Sequence, residues 1–128
     1  MQDTQMALFP ALAGHDYMSL TTFRKNGDAV PTPVWFAQVG GRLYVMTNTD
    51  SGKVKRIRNN GRVELAPCTN SGKVLGDSAA GMARVLTPEE ETQAREALAK
   101  KYGFKKRMFD LMIAVRRSPT VHLEITPL

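Results

Sequence analysis

Residues 47–58 read Thr-Asn-Thr-Asp-Ser-Gly-Lys-Val-Lys-Arg-Ile-Arg. The stretch opens as the end of a strand, turns through small polar residues, and starts a short helix loaded with cations. A helix start presents free backbone N–H groups and the positive end of the helix dipole, so it favours an anion. Asp50 or Ser51 serves as the N-cap. Lys53, Lys55, Arg56, Arg58 and Arg62 put five cations within ten residues, and no acidic residue lies between Asp50 and Glu64. With a formal net charge of +6 for the whole chain, most of the basic character sits in this one segment.

The surroundings bound the class. A chain of 128 residues, 42% hydrophobic and 7% aromatic, fits one domain over residues 1–128 with a single core. No run approaches the ~20 apolar residues that a membrane span needs. Met1 to Ala13 has no basic region ahead of its short apolar patch, which makes it a poor signal peptide and a cytoplasmic location the default. One cysteine, Cys68, excludes an internal disulfide and a cysteine-based metal cluster. His15 and His122 have no metal-ligand spacing. A pI near 9.8 raises nucleic acid as a partner. Because the charge is concentrated, it favours a small anionic ligand over a long polyanion.

Outward from the cationic segment the chain reads as strands. Tyr17 to Phe23 is the first, behind a short helix or cap over Leu8 to Ala13. Asn26-Gly27 is a hairpin signal, because Gly tolerates positive φ. Ala29 to Val39 is the second strand, Gly40-Gly41 a tight turn, and Leu43 to Thr47 the third. Val54 and Ile57 dock the short helix on the sheet, and Asn59-Asn60-Gly61 ends it with a residue able to take left-handed geometry. Arg62 to Cys68 follows, with Val63, Leu65 and Pro67 on one face. Thr69 to Ser78 is loop, with an extended piece at residues 73–75. Ala79 to Leu86 is the next strand. Thr87-Pro88-Glu89-Glu90 starts a helix with a capping box; Ala94, Ala97, Leu98 and Tyr102 form its buried stripe, and Gly103 stops it. A second helix is predicted from Lys105 to Val115, with Phe104, Met108, Leu111, Met112 and Val115 on one face. Thr120 to Thr126 is the last strand. Antiparallel strands with few helices predict a mainly β barrel. A Gly-rich dinucleotide fingerprint is absent.

Pro31 and Pro33 cannot donate to a ladder, so the second strand belongs at an edge or carries a bulge. The plain reading is protection of that edge against aggregation. The functional reading is a flat ligand ring lying along the strand where ladder bonds are interrupted.

Five runs carry a resemblance: Leu-Thr-Thr-Phe-Arg-Lys-Asn-Gly (20–27), Pro-Thr-Pro-Val-Trp-Phe (31–36), Leu-Tyr-Val-Met-Thr (43–47), Ser-Gly-Lys-Val-Lys-Arg-Ile-Arg (51–58) and Val-Glu-Leu-Ala-Pro-Cys (63–68). In this order and spacing the chain resembles the flavin/deazaflavin split β-barrel family, related to pyridoxamine 5′-phosphate oxidase. It is most similar to the branch of coenzyme F420-dependent oxidoreductases. Ala-Lys-Lys-Tyr-Gly (99–103) and Val-His-Leu-Glu-Ile-Thr-Pro (121–127) extend the match over nearly all the chain from Met18. The resemblance implies a six-stranded antiparallel split barrel with short peripheral helices, and a homodimer with cofactor sites at the interface. It implies a phosphate held through Thr47, Ser51 and Lys53, and a flavin ring against Pro33, Val34 and Trp35. Asn48, Val54, Arg56 and Arg58 complete the candidate cofactor site. The implied cofactor is F420, with FMN as the alternative, and the implied activity is hydride transfer to an organic substrate. The oxidase branch has basic residues in strand two and a C-terminal substrate-binding arginine motif. Neither has an equivalent here, so pyridoxamine phosphate oxidation is not expected.

Such cofactors carry their own redox chemistry, so no acid–base triad is expected and the sequence offers none. Three readings stand: a deazaflavin-dependent reductase, an FMN-binding oxidoreductase or flavin carrier, and a nucleic-acid-binding barrel. Single-strand binders interleave cations with aromatics, and residues 47–62 contain no aromatic, which leaves nucleic acid the remote alternative; no membrane partner is expected. Plainer roles compete elsewhere. A cationic short helix is ordinarily a solvated face, and Trp35 suits core or interface as well as a ring contact. Cys68 suits a small buried hydrophobe and His122 a surface position. His15, just ahead of the first strand, has the functional reading of a substrate-side proton donor, for which one histidine in a loop is a weak signal. Among the cations Lys53 and Arg56 are the ones expected to bind, and Lys55 to be solvated.

Overall fold

β1 (Tyr17–Phe23) and β2 (Ala29–Trp35) pair antiparallel through a turn in which Gly27 takes φ 93°, as the Asn-Gly signal predicts. The computed structural model describes residues 9–103 and 119–128, and the helix predicted over 105–115 lies outside them. Along the described chain follow β3 (Ala37–Val39), β4 (Arg42–Asn48), α1 (Gly52–Asn59), β5 (Arg62–Cys68), β6 (Ala79–Val85), α2 (Glu91–Tyr102) and β7 (Thr120–Pro127). Short 3-10 turns stand at Pro10–Leu12 and Pro88–Glu90.

All the strands among the described residues join one antiparallel sheet of seven, in the order β2-β1-β5-β6-β7-β4-β3. Six were expected; the difference is Phe36. It divides the stretch read as one strand, Ala29 to Val39, into β2 and β3, which become the two edges of the sheet. Because those edges are consecutive in the chain, the sheet has to curl until they meet, which makes it a barrel split at Phe36. There the ladder is replaced by a side chain from α2: the Phe36 N–H donates to the Tyr102 hydroxyl at 2.8 Å, and that hydroxyl lies 2.7 Å from the Phe36 and Asp16 carbonyls. The two prolines fall on the edge strand β2, where a missing donor faces no ladder partner.

Alternate residues of the strands point inward. Met18, Leu20, Leu43, Val45, Val63, Leu65, Leu123 and Ile125 form the core, with Ile57 of α1 among them. Val54 of α1 is buried as well. α2 buries Ala94, Leu98 and Tyr102, packing on Ala37, Tyr44 and Leu86 outside the barrel.

Two sequence-based expectations are corrected. His122, read as a surface position, is buried, because α2 lays Glu91 over it; the Glu91 carboxylate accepts the His122 backbone N–H at 3.1 Å and lies 3.0 Å from Nδ1. α1 does not end in left-handed geometry: Asn60 is extended at φ −149°, and its N–H closes on the Arg56 carbonyl at 2.7 Å. Gly61 is required for another reason, since a Cβ there would stand 2.6 Å from the Ala83 carbonyl oxygen. In β5 the burial also spreads past the expected face, taking in Ala66 and Cys68. The extended piece in the following loop is a single antiparallel bridge, Cys68 to Val74. Among the described residues no helix is long and apolar enough to cross a membrane.

Candidate anion and cofactor site

The turn from β4 into α1 is built by its hydroxyls. Ser51 is the N-cap: its Oγ accepts the Val54 N–H at 3.4 Å and takes a hydrogen bond from the Thr47 hydroxyl at 3.3 Å. Thr47 is itself buried at the end of β4. Asp50, the other candidate cap, is exposed. The two hydroxyls expected at a phosphate are therefore joined at the positive end of the helix.

The cations sort by their surroundings. Lys53 is half-buried, and burial lowers its ammonium pKa below the ordinary value, with the Arg56 guanidinium lowering it further. Arg56 is held in place: its Nε donates to the Thr22 hydroxyl, fully buried in β1, at 2.6 Å. Its guanidinium lies over Gly52 so closely that a Cβ there would stand 2.7 Å from Nη1. Lys55 and Arg58 are exposed. Arg62 pairs with Glu64 at 3.9 Å. Among the described residues Lys53, Lys55, Arg56 and Arg58 have no carboxylate partner. Two like charges pressed together, one with its pKa depressed, are relieved by an anion placed between them.

Asn48 adds a further mark of a ligand site. Its Oδ1 is buried with no hydrogen-bond partner among the described residues. A buried polar atom left unpaired costs about 1–3 kcal/mol, so a ligand hydroxyl or N–H at this point would be stabilised. Capped helix start, depressed lysine, anchored arginine and orphan amide oxygen together fit a phosphate ester carrying further polar groups.

Not every expected residue joins them. The Val54 side chain is buried in the core and its N–H is taken by Ser51, so it contributes packing. Arg58 lies with Phe23, Arg24 and Lys25 along an adjoining groove. Pro33, Val34 and Trp35 belong to the edge strand β2. Val34 faces the core. Pro33 and Trp35 share the opposite face, and the Trp35 ring is stacked on Tyr102 with centroids 4.6 Å apart and planes 11° from parallel. Tyr17 meets Trp35 at 6.4 Å and 60°. This is an aromatic platform with a fixed ring.

Sequence reasoning missed Thr22 and Tyr102 as the residues that fix Arg56 and Trp35. It also missed Lys101, whose ammonium sits 3.4 Å above the centre of the Phe36 ring and donates to the His15 carbonyl at 2.7 Å. Arg24-Lys25 beside the hairpin turn was a readable signal for a wider basic surface. Among the described residues no group of His, Cys, Asp and Glu could hold a metal ion.

Solved structures share this architecture. A conserved hypothetical protein from Mycobacterium tuberculosis is 20% identical and superposes with a TM-score of 0.69 over 99% of this chain and 84% of its own. An FAD-binding protein from Mesorhizobium loti is 17% identical, TM-score 0.67, over 92% of this chain and 83% of its own. The heme storage protein of Vibrio cholerae is 12% identical, TM-score 0.69, over 96% and 92%. At these identities the likeness is one of fold. A search of the curated proteins finds no match. The sequence profile of pyridoxamine 5′-phosphate oxidase, however, spans residues 5–127, from before the first 3-10 turn to the end of β7. The split barrel agrees with that match, and the chain belongs to the pyridoxamine 5′-phosphate oxidase family.

Proposed function

We propose that the protein is a flavin- or deazaflavin-dependent oxidoreductase, with coenzyme F420 as cofactor and FMN as the alternative, reducing an organic substrate by hydride transfer. One observation carries this reading: the anion cradle of Thr47, Ser51, Lys53 and the anchored Arg56, with the unpaired Asn48 oxygen beside it. Family membership supports the flavin-type cofactor, and the sequence resemblance supports F420. The relative from Mesorhizobium loti is an FAD-binding protein, which supports the same class.

In this reading the bound cofactor supplies the hydride chemistry. The chain's own residues bind and orient. Lys53 and Arg56 neutralise the phosphate through charge-assisted hydrogen bonds, about twice as strong as neutral ones. Ser51 and Thr47 supply hydroxyls, and Asn48 accepts from a hydroxyl or N–H next to the phosphate. Pro33 and Trp35 back the ring on β2, an edge that pairs with no further strand among the described residues.

A homodimer that completes the site across its interface, in a cytoplasmic setting, belongs to the same proposal. Its support is apolar surface on one loop: Val74 and Leu75 are 54% and 51% exposed. Purified protein tests the reading. A yellow preparation with a flavin spectrum favours FMN; a colourless one that binds added F420, with affinity lost in Lys53→Ala, favours the deazaflavin. Failure to bind either would sink the assignment.

A further inference from the structure

Beside the anion cradle lies an open groove of about 620 Å³, lined by Phe23, Arg24 and Lys25 from the end of β1 and its turn, and by Gly52, Lys55, Arg56, Arg58 and Asn59 from α1. That volume is in the range of small-molecule sites. Five of its eight lining residues are cations and none is acidic. Among the described residues none of the five has a carboxylate partner. The nearest candidate in sequence, Asp28, is turned to Asn26, whose Nδ2 it accepts at 3.2 Å. The wall is not purely charged, because it includes the half-exposed Phe23 ring and the methylene stems that long basic side chains lay along apolar surface.

We propose that this groove is a second binding site, taking a nucleoside di- or triphosphate: one aromatic base and a short chain of phosphates. Five cations without a carboxylate favour a ligand with several negative charges over a single phosphate. The single aromatic limits the ligand to one base, since binders of polynucleotide chains repeat aromatics along the groove. The base packs on Phe23. Arg24, Lys25 and Lys55 hold the phosphates, and Arg56, fixed by Thr22, forms the boundary with the first site. The same chemistry has two sources, a free nucleotide or the nucleotide half of a dinucleotide cofactor whose other half occupies the cradle.

The probe is ADP, titrated calorimetrically into the whole protein, with inorganic pyrophosphate, FMN and FAD alongside. ADP is expected to bind more tightly than pyrophosphate, and Phe23→Ala to remove that preference. Arg24→Glu/Lys25→Glu, which alters two exposed turn residues, should weaken ADP at least tenfold and leave FMN unchanged. FAD binding more tightly than FMN, with the gain lost in the double variant, assigns the groove to a dinucleotide. ADP binding unchanged when the cradle is saturated with whichever of FMN or F420 the protein is shown to bind assigns it to a free nucleotide. No ADP binding, equal binding of pyrophosphate, or an unaltered ADP affinity in the double variant overturns the proposal. A failed flavin reading shows separately, as absent FMN and F420 binding while ADP still binds.

Discussion

Lys53 is the residue on which the cofactor reading turns. Lys53→Ala is expected to weaken cofactor binding by ~1.5–3 kcal/mol, the usual worth of a hydrogen bond to a charged group, and titration of FMN or F420 into the variant checks it. Unchanged affinity would remove the phosphate from this place. Tyr102 is the structural counterpart. Its hydroxyl is the acceptor for the buried Phe36 N–H, so Tyr102→Phe should cost about 1–3 kcal/mol in urea unfolding. Lys101 supplies a pH signature. Although the residue as a whole is exposed, desolvation of its ammonium over the Phe36 ring lowers it from 10.5 to about 8, against the opposing pull of Asp16. Between those values the unfolded chain binds a proton that the folded chain has released, so this group makes stability rise with pH. Tyrosine and cysteine titrations are common to wild type and variant. The stability difference between wild type and Lys101→Met should therefore climb above pH 8, and a flat difference would show that Lys101 is freely solvated. The Ser51 cap was legible in the sequence because a cap acts on a residue three positions away. Thr22 was not, because its partner Arg56 lies 34 positions further on.

At the scale of elements, two glycines of similar crowding separate function from packing. A Cβ on Gly52 would meet the movable end of the Arg56 side chain, whereas one on Gly61 would meet the Ala83 backbone oxygen at 2.6 Å. Gly52→Ala should displace the guanidinium and weaken anion binding with little loss of stability. Gly61→Ala should destabilise by about 1–3 kcal/mol, as overpacking does, and leave binding intact once folded. Thermal unfolding and anion titration on both variants check the pair. The hairpins, the helix α1 and the start of α2 were readable, because turn glycines, caps and alternation are local. The break at Phe36 was not. Phe36 is as apolar as any strand residue, and what interrupts the ladder is a hydroxyl 66 positions away. His122 was misread for the same reason: alternation along β7 assigns it a face, and only α2 decides that the face is covered.

For the whole molecule, the order of strands in space departs from their order in the chain. β7 pairs with β6 on one side and β4 on the other, so the last strand lies inside the sheet. A pattern of local signals gives the strands but not this arrangement, which is why the barrel was legible through the family resemblance and the number of strands was off by one. The proposed dimer belongs to this scale too. Sedimentation is expected to report two chains, and Leu75→Glu, placing a charge on the exposed loop, to shift it toward one.

The internal position of β7 also sets a clock. A ribosome delivering this chain releases the two halves of the sheet, β2-β1-β5-β6 and β4-β3, long before the strand that joins them. Until Thr120–Pro127 emerges, β6 and β4 both present open edges, and such edges pair readily with other chains. The barrel therefore closes only once residues 120–127 are free to pair, and a chain truncated short of residue 120 yields an aggregation-prone fragment, not a smaller barrel.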